Sequence, residues 1–182
     1  MKKIVWANKS NGQLCLTIPK GSGIKEGDIV NVEKEKIKSI VYTPLTADMF
    51  HYGHLQILEK ANTLGDFHIA GVVTDKGIRS YKRGPISNLK ERMAIVSALR
   101  CVDMVMTQDV KSSEENLKKI HSQFPDAKII LVHGSNWKKI PGEEYIKKIH
   151  GELVKAPYYE RLSTKKIVAK ILSMYPNGVD NE

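Results

Sequence analysis

The sequence predicts an α/β fold, a doubly wound parallel sheet preceded by a small N-terminal all-β segment. From residue 37 onward, short apolar runs alternate with stretches in which apolar residues recur every three or four positions, a pattern typical of alternating strands and helices. Crossovers between parallel strands are right-handed, which places helices on both faces of the sheet. Residues 1–38 are polar and glycine-punctuated instead, and their short alternating stretches favour two or three small strands.

The elements of the α/β part follow one another in a regular order. Strands are predicted over Ile37–Thr43, Phe67–Thr74, Val102–Thr107, Lys128–His133 and Glu152–Ala156. Helices are predicted over Tyr52–Leu64, Leu89–Leu99, Ser113–Gln123, Glu143–Ile149 and Ser163–Leu172. We therefore divide the chain into the β segment 1–38, the α/β domain 39–174 and a polar tail 175–182.

Composition and charge exclude several classes of protein. The chain has 182 residues, is 41% hydrophobic and 27% charged, and carries a formal net charge of +9, so disorder and fibrous structure are excluded. No apolar run is long enough to cross a bilayer, no signal-peptide core follows Met1, and the short polar tail leaves no membrane-binding helix. Cys15 and Cys101 show no pairing pattern, so we expect free thiols in a cytoplasmic protein. The positive charge favours an anionic partner.

The loop after the first predicted α/β strand carries an uncommon pair of histidines. In such sheets ligands bind beyond the carboxyl ends of the strands, at the point where strand order reverses, and the first strand flanks that point. His51 and His54 lie three positions apart at the start of a predicted helix, so both imidazoles can face one ligand. The helix N-terminus offers free N–H groups that suit phosphate, and Gly53 lets a phosphate approach the backbone.

Two simpler interpretations of this loop stay open at this point. The histidines can be ordinary surface or N-cap residues of a helix. A zinc site is disfavoured because it needs at least three protein ligands, and no cysteine or third histidine lies nearby in sequence. Thr46 and Asp48 add a hydroxyl and a carboxylate to the loop, which favours contacts to a phosphate and to a substrate or its metal.

The segment Thr46–His54 resembles the signature of the cytidylyltransferase family, the nucleotidyltransferases with an HxGH motif. His51-Tyr52-Gly53-His54 matches every fixed position of the motif, and Thr46 and Asp48 match the residues that precede it. Further matches are Val73-Thr74-Asp75, Lys82-Arg83, Glu91-Arg92, Val102-Asp103 and, for the second signature, Glu160-Arg161-Leu162-Ser163-Thr164. The resemblance spans residues 41–171 and implies the Rossmann-like nucleotidyltransferase fold.

Within the family, three segments are most similar to the nucleotidyltransferase domains associated with phosphoenolpyruvate mutase in phosphonate metabolism. They are Ser80-Tyr81-Lys82-Arg83, Val132-His133-Gly134 with Trp137-Lys138, and Pro157-Tyr158. Glycerol-3-phosphate, phosphoethanolamine and heptose-phosphate nucleotidyltransferases are more distant there. That branch has Gly-Asp-Asp-Trp where this chain has Gly134-Ser135-Asn136-Trp137, so the choice of CTP over ATP stays open. Arg161 likewise replaces the glycine of the second signature, and its side chain blocks close backbone approach.

The resemblance implies a reaction between a nucleoside triphosphate and a phosphate or phosphonate, with release of pyrophosphate. Four residues are implied as catalytic: His51, His54, Lys82 and Arg92. The nucleotide would be bound by Thr46, Gly53, His54, Gly134, Asn136, Trp137, Ser163 and Thr164, and the acceptor by Asp48, Arg83, Tyr158 and Arg161. Mg²⁺ is expected to bridge phosphate oxygens without a protein metal site. For the basic residues the alternative is a solvated surface position, for Ser163 a helix cap, and for Trp137 and Tyr158 simple packing.

The N-terminal segment resembles the swapped hairpin of AbrB-type proteins. Leu14–Lys20 and Gly23–Val30 carry this resemblance, which implies an intertwined homodimer. Many members of that family bind DNA, but nearby acidic residues offset the positive charge here and no basic stripe is visible, so dimerisation is favoured over DNA binding.

Three functions are consistent with these observations. The first is a cytidylyltransferase that transfers CMP from CTP to a small phosphonate or phospho-alcohol of the 2-hydroxyethylphosphonate, phosphocholine or phosphoethanolamine type. The second is an adenylyltransferase of the flavin or pantetheine type that uses ATP. The third is an AbrB-like DNA-binding regulator with a nucleotide-sensing domain. The first is preferred, and the third is disfavoured because both histidines are present together with Thr46, Arg92 and Ser163.

Overall fold

The computed structural model describes residues 6–7, 14–15, 21–30, 36–176 and 178. The chain divides into two compact units, Met1–Lys36 and Ile37–Glu182. None of the helices within the described ranges is both long and apolar enough to cross a lipid bilayer.

The first unit contains a short antiparallel ladder and a glycine-rich turn. Strand β1 (Trp6–Ala7) pairs with β2 (Leu14–Cys15). Gly27 has a φ of 91°, and the Asp28 carboxylate accepts a hydrogen bond of 2.8 Å from the Lys25 amide, which closes the turn. Ile29 and Val30 are exposed and lie outside the strands that the described residues form. The rest of the predicted hairpin, Leu16, Ile18 and Val32 included, lies outside the described residues.

The second unit is built on a five-stranded parallel sheet. The strands are β3 (Ser39–Leu45), β4 (Phe67–Val73), β5 (Met104–Gln108), β6 (Lys128–Gly134) and β7 (Glu152–Ala156). Their order is β5-β4-β3-β6-β7, and every pairing is parallel. The chain therefore moves outward from β3 to one edge, returns, and continues to the other edge. This confirms the predicted doubly wound sheet, with the reversal point beside β3.

Strand β3 continues two residues past its predicted end, through Pro44. Proline lacks the N–H that a strand needs for its ladder, which is why the prediction stopped at Thr43. Pairing of β3 with β6 ends at Tyr42, whereas pairing with β4 continues to Leu45. Pro44 thus lies where β3 has a partner on one side only, and there the missing donor is tolerated.

Six helices are described in this unit. They are α1 (Tyr52–Asn62), α2 (Asp75–Arg79), α3 (Leu89–Ser97), α4 (Glu114–Gln123), α5 (Glu143–Lys148) and α6 (Thr164–Met174). Five match the predicted helices to within two residues. The short α2 was not predicted, since five residues are too few to show a helical period and Gly77 lies in the middle. The structure shows that Thr74 caps this helix, because its side chain accepts a hydrogen bond from the Gly77 amide.

Alternate residues of β3 face two separate cores. Ile40 and Tyr42 pack with Leu117 of α4 and Ile146 of α5 on one face. Val41 packs with Ala61 of α1 on the other. These side chains are all fully or almost fully buried. Because successive side chains of β3 point to opposite faces, the sheet packs against a layer of helices on each side. The carboxyl ends of the strands are left uncovered along one edge of the sandwich.

Candidate functional site

A cavity of about 570 Å³ opens at the carboxyl ends of the strands. Both neighbours of β3 contribute to it, as expected for a site at the reversal point of a doubly wound sheet. Eleven predicted site residues line this cavity: Thr46, His51, Gly53, His54, Lys82, Gly134, Asn136, Trp137, Tyr158, Ser163 and Thr164. Residues from five separate stretches of the chain, covering 46–164, are therefore brought to one place.

The two histidines cap helix α1 and are held by its backbone. Nδ1 of His51 accepts a hydrogen bond of 3.1 Å from the Gly53 amide. Nδ1 of His54 accepts one of 3.3 Å from the His51 amide, and together these bonds form a capping box. The rings lie 4.1 Å apart between centroids. Because both Nδ1 atoms act as acceptors, each neutral ring carries its proton on Nε2, so the pair has two N–H donors for a ligand in the cavity.

Burial keeps these histidines neutral. It lowers the pKa of His54 to about 4, with further lowering by the neighbouring His51 and Lys82, while Asp48 acts in the opposite direction. Burial also lowers the pKa of His51. Neutral imidazoles at neutral pH donate hydrogen bonds without needing a counter-ion, and an arriving polyphosphate raises their proton affinity.

Gly53 is required by the histidine beside it. A Cβ at this position would lie 3.0 Å from Cε1 of His51 and 3.3 Å from Cβ of Tyr159. A side chain here would therefore force the His51 ring to shift by a few tenths of an ångström. The structure thus adds a second reason for glycine to the predicted approach of a phosphate.

The loop that delivers the histidines has an unusual backbone. Ala47 and Met49 have positive φ values of 56° and 48°, a region that non-glycine residues seldom occupy. Ala47 is buried, and it packs against Leu45 and Leu58, so tertiary contacts hold this conformation. Strain of this kind is concentrated at functional sites in proteins.

A second helix N-terminus lines the same cavity. Oγ of Ser163 accepts a hydrogen bond of 3.3 Å from the Lys166 amide, so it caps α6. The Thr164 hydroxyl lies 3.5 Å from the carbonyl oxygen of Asp48, in the loop before α1. The start of α6 is thereby joined to the loop that carries the histidines. Two helix N-termini with free N–H groups suit an extended chain of phosphates.

The turn after β6 forms another wall of the cavity. A Cβ on Gly134 would lie 2.7 Å from Oδ1 of Asn136, so the amide side chain folds over this glycine. The ring of His133 meets the indole of Trp137 edge to face, with centroids 4.6 Å apart. Oγ of Ser135 accepts a hydrogen bond of 3.1 Å from the Tyr158 amide, which joins this turn to the segment after β7.

Lys82 lies between the histidines and the β5 side of the cavity. Its ammonium group is 3.4 Å from Oγ1 of Thr46 and 5.7 Å from the ring centroid of Tyr81. Partial burial lowers the pKa of Lys82; Asp48 raises it, and Arg83 and Arg92 lower it further. A cation here is suited to an anionic group that lies next to the triphosphate.

Arg92 has a different place from the one predicted. Its guanidinium is fully buried and donates to the carbonyls of Thr46 at 2.5 Å, Val73 at 2.7 Å and Ser87 at 3.0 Å, and it pairs with Asp75 at 2.5 Å. With its donors used in this way and no atom on the cavity wall, Arg92 is a positioning residue. It holds the ends of β3 and β4 and the start of α2 together.

Asp48 is also turned away from the cavity. Its carboxylate accepts hydrogen bonds from the amides of Ile86 and Ser87, at 3.0 and 3.1 Å, and only 6% of the residue is exposed. Asp48 anchors the loop that follows Lys82. This geometry does not support the predicted direct contact between Asp48 and the substrate. Arg83 and Arg161 are exposed and lie outside the cavity wall; the Arg161 side chain donates to the Tyr159 hydroxyl at 2.7 Å.

Several cavity residues were not predicted as site residues. They are Tyr81, Gln108, Lys111, His133, Tyr159 and Lys165. Gln108 and Lys111 follow the carboxyl end of β5, so the rule that strand ends carry ligand contacts could have identified them. Their sequence surroundings show no motif, which is why they were missed.

The described residues contain no group of three or more His, Cys, Asp or Glu side chains placed to hold a metal ion. A Mg²⁺ carried by the phosphates of a bound nucleotide, with water as its other ligands, needs no such set.

Comparisons with known proteins agree with this geometry. The profile of the family described as Cytidylyltransferase-like matches residues 42–170. The bifunctional protein HldE of Syntrophotalea carbinolica is 31% identical over 155 residues, which are 83% of this chain and 30% of that protein. HldE of Citrifermentans bemidjiense is 33% identical over 147 residues, 79% of this chain and 29% of that protein. The chain thus spans about 30% of the length of these curated relatives.

A solved structure gives the same result for the fold. The lipopolysaccharide core biosynthesis protein of Thermoplasma volcanium superposes with a TM-score of 0.55 at 24% identity, over 67% of this chain and 98% of that one. The names of these relatives, two HldE proteins and a lipopolysaccharide core biosynthesis protein, refer neither to phosphonate metabolism nor to AbrB. With a family profile matched over most of its length and the HxGH histidines in place at the reversal point of the sheet, the chain belongs to the cytidylyltransferase-like family of nucleotidyltransferases.

Proposed function

We propose that this protein transfers the nucleotidyl group of CTP to a phosphate or phosphonate oxygen of a small acceptor and releases pyrophosphate. One observation carries the proposal: a single cavity holds two neutral imidazoles, two helix N-termini and a lysine, all donors suited to a polyphosphate. Such a site supplies positioning and charge stabilisation, which is what transfer between phosphates requires.

The reaction proceeds by in-line displacement at the α-phosphorus. An anionic oxygen of the acceptor forms a bond to that phosphorus while the bond to the β-phosphate oxygen breaks, and pyrophosphate leaves with the electron pair. The acceptor oxygen is already deprotonated at neutral pH, so no general base is needed. Nε2–H of His51 and His54 would donate to the charge that develops on the α- and β-phosphates, and the N-terminus of α6 would bind the outer phosphates. Mg²⁺ would add charge neutralisation when bound to the triphosphate.

ATP is the second candidate for the nucleotide, and one observation is equally consistent with ATP and with CTP. Ser135 uses its hydroxyl to hold the Tyr158 amide, which leaves the Asn136 amide as the polar side chain of the turn that lines the cavity. An amide both donates and accepts, so it can pair with the amino group and ring nitrogen of either base. The family matched by the chain makes CTP the first nucleotide to test.

The experiment is a matrix of nucleotides against acceptors, read by pyrophosphate release in the presence of Mg²⁺. CTP, ATP, GTP and UTP are each paired with 2-hydroxyethylphosphonate, phosphocholine, phosphoethanolamine and a sugar phosphate. We expect release with CTP and at least one acceptor, and none without an acceptor. If pyrophosphate were released with ATP and an acceptor but never with CTP, ATP would replace CTP in the proposal. If no pair of nucleotide and acceptor released pyrophosphate, nucleotidyl transfer would be contradicted.

We also propose that the first unit acts in dimerisation and takes no part in the chemistry. The described residues that line the cavity belong to the second unit. The resemblance of residues 10–33 to swapped hairpins is what supports dimerisation, and the offset charges of that segment disfavour DNA binding.

A further inference from the structure

Lys111 has an unusual position at the β5 end of the cavity. Its ammonium group lies 5.4 Å from the ring centroid of Tyr81 and 5.0 Å from that of Trp137. It therefore bridges the segment after β4 and the turn after β6. Two aromatic faces hold the cation by their negative quadrupoles, a weak attraction that an anion can replace.

Among the described residues, no carboxylate pairs with this lysine. Within residues 36–176, every salt bridge of the structure joins other groups, and no acidic side chain lies within pairing distance of Lys111. The side chain is exposed to the cavity. An unneutralised cation on a cavity wall attracts anionic ligands and is poorly explained by stability alone.

A buried network fixes the backbone that carries Lys111. The side-chain amide of Gln108 donates to the carbonyls of Val110 at 2.9 Å and Lys111 at 3.2 Å. Its oxygen accepts a hydrogen bond of 2.7 Å from the Tyr42 hydroxyl, which also accepts one of 2.8 Å from Asn116.

The same network constrains the neighbouring strand. A Cβ on Gly71 would lie 1.9 Å from the Tyr42 hydroxyl oxygen, so only glycine leaves room for this ring. The loop that carries Lys111 is thus pre-organised by groups in the centre of the sheet. Such pre-organisation reduces the free-energy cost of binding a ligand.

The groups of the cavity that can bind anions form a sequence along the strand ends. The histidines and the start of α6 lie beside the loop after β3, Lys82 contacts Thr46 and Tyr81, and Lys111 contacts Tyr81 from the β5 side. If the two helix N-termini hold the triphosphate, as in the proposed function, the cations beyond it remain for the second substrate.

We propose that Lys111 is a specificity-determining residue that binds the anionic phosphate or phosphonate group of the acceptor, together with Lys82 and over the Tyr81 ring. This inference rests on the proposed function for the assignment of the other end of the cavity to the triphosphate. The proposed role of Lys111 excludes acceptors whose attacking group is a neutral hydroxyl. Such an acceptor would cover the Lys111 ammonium group without giving it a negative partner.

Trp137 provides a direct measurement, since its indole contacts the Lys111 ammonium. The chain has two tryptophans, so Trp6→Phe leaves Trp137 as the one indole. In that background we would titrate 2-hydroxyethylphosphonate and inorganic phosphate, each with and without CTP, and follow tryptophan fluorescence. We expect saturable binding of the dianions. Lys111→Gln should weaken it by at least about 10-fold, because one charge-assisted contact is lost, and Lys111→Arg should keep it within about 3-fold.

Lys119→Gln is the matched control, since it removes the same charge from an exposed position of the following helix and should leave binding unchanged. CTP titrated alone distinguishes the two sources of phosphate. Equal weakening of CTP and dianion binding in Lys111→Gln would assign Lys111 to the nucleotide and overturn the inference. Unchanged dianion binding in that variant, or no fluorescence response to either dianion in the parent, would overturn it as well.

The turnover assay separates this inference from the proposed function. In an active enzyme, Lys111→Gln should raise the KM for the acceptor and leave the KM for the nucleotide unchanged. Pyrophosphate release with an unaltered acceptor KM would reject the role of Lys111 alone. Absence of release with any nucleotide would reject the proposed function, while the fluorescence titration would still report whether Lys111 binds the dianion.

Discussion

At the scale of single residues, the site depends on the fit between His51 and Gly53. The ring that caps α1 occupies the space that a side chain at position 53 would need. The HxGH pattern is thus a local steric unit as well as a set of ligands, and this explains why a short sequence motif could identify it. The sequence contained all the information needed to place His51, Gly53 and His54 at one helix start.

His54→Ala tests the proposed stabilisation of charge by this pair. We expect kcat to fall by at least about 10²-fold, because one pre-organised donor to the developing phosphate charge is removed. Steady-state pyrophosphate release would measure the change, and circular dichroism would show that the fold is retained. His150→Asn, at an exposed position with positive φ, is the matched control and should keep full activity. Near wild-type turnover of His54→Ala would reject the proposed mechanism.

At the scale of elements, Arg92 of α3 connects three strand and helix ends. Its four partners come from three stretches of the chain, and all but one are backbone carbonyls. The sequence predicted that this arginine belongs to the site, but not that its guanidinium turns inward. Burial of an arginine depends on which carbonyls the fold brings around it, and no local pattern records that.

Arg92→Met should therefore destabilise the protein by about 3 kcal/mol or more, since it leaves buried carbonyls and the Asp75 carboxylate without their donor. Urea denaturation followed by circular dichroism would measure the free energy of unfolding. Arg100→Met is the control, because Arg100 is exposed and its loss should cost less than about 0.5 kcal/mol. If Arg92→Met unfolded at the wild-type urea concentration yet lost activity, a direct catalytic role would replace the positioning role.

At the scale of the whole molecule, buried histidines couple stability to pH. Burial lowers the pKa of both His54 and His133 to about 4, and it also lowers the pKa of His68. These rings stay neutral in the folded protein, while the unfolded chain takes up protons below its ordinary pKa of about 6.5. Since the unfolded state binds more protons between these values, the free energy of unfolding decreases as pH falls through that window.

We expect a loss of about 3 kcal/mol between pH 6.5 and pH 4, after allowance for solvent screening of the partly exposed rings. Urea denaturation at pH 7, 5.5 and 4.5 would measure it. A free energy of unfolding that stayed constant from pH 7 to pH 4.5 would contradict the neutral state of the buried histidines.

Much of the fold could be predicted from the sequence because it is recorded locally. The five strands and five of the six helices that the structure describes in the second unit follow from short apolar runs and from apolar spacings of three to four residues. Helix α2 could not be predicted because its five residues are too short for a period, and Pro44 concealed the end of β3. The end of β3 depends on its neighbours, because only β4 pairs with it there. Helix α2 depends on Thr74, which follows β4 and caps the helix.

The sequence by itself determined the fold class, the family resemblance and the histidine pair, because each is a relation between residues close together in the chain. Only the tertiary structure decided which cations face the cavity: it turned Arg92 and Asp48 inward and brought Lys111 against Tyr81 and Trp137. The physical reason is that the order of strands in the sheet sets the contacts between distant loops. Strand order follows from packing of the whole unit, which no single segment encodes.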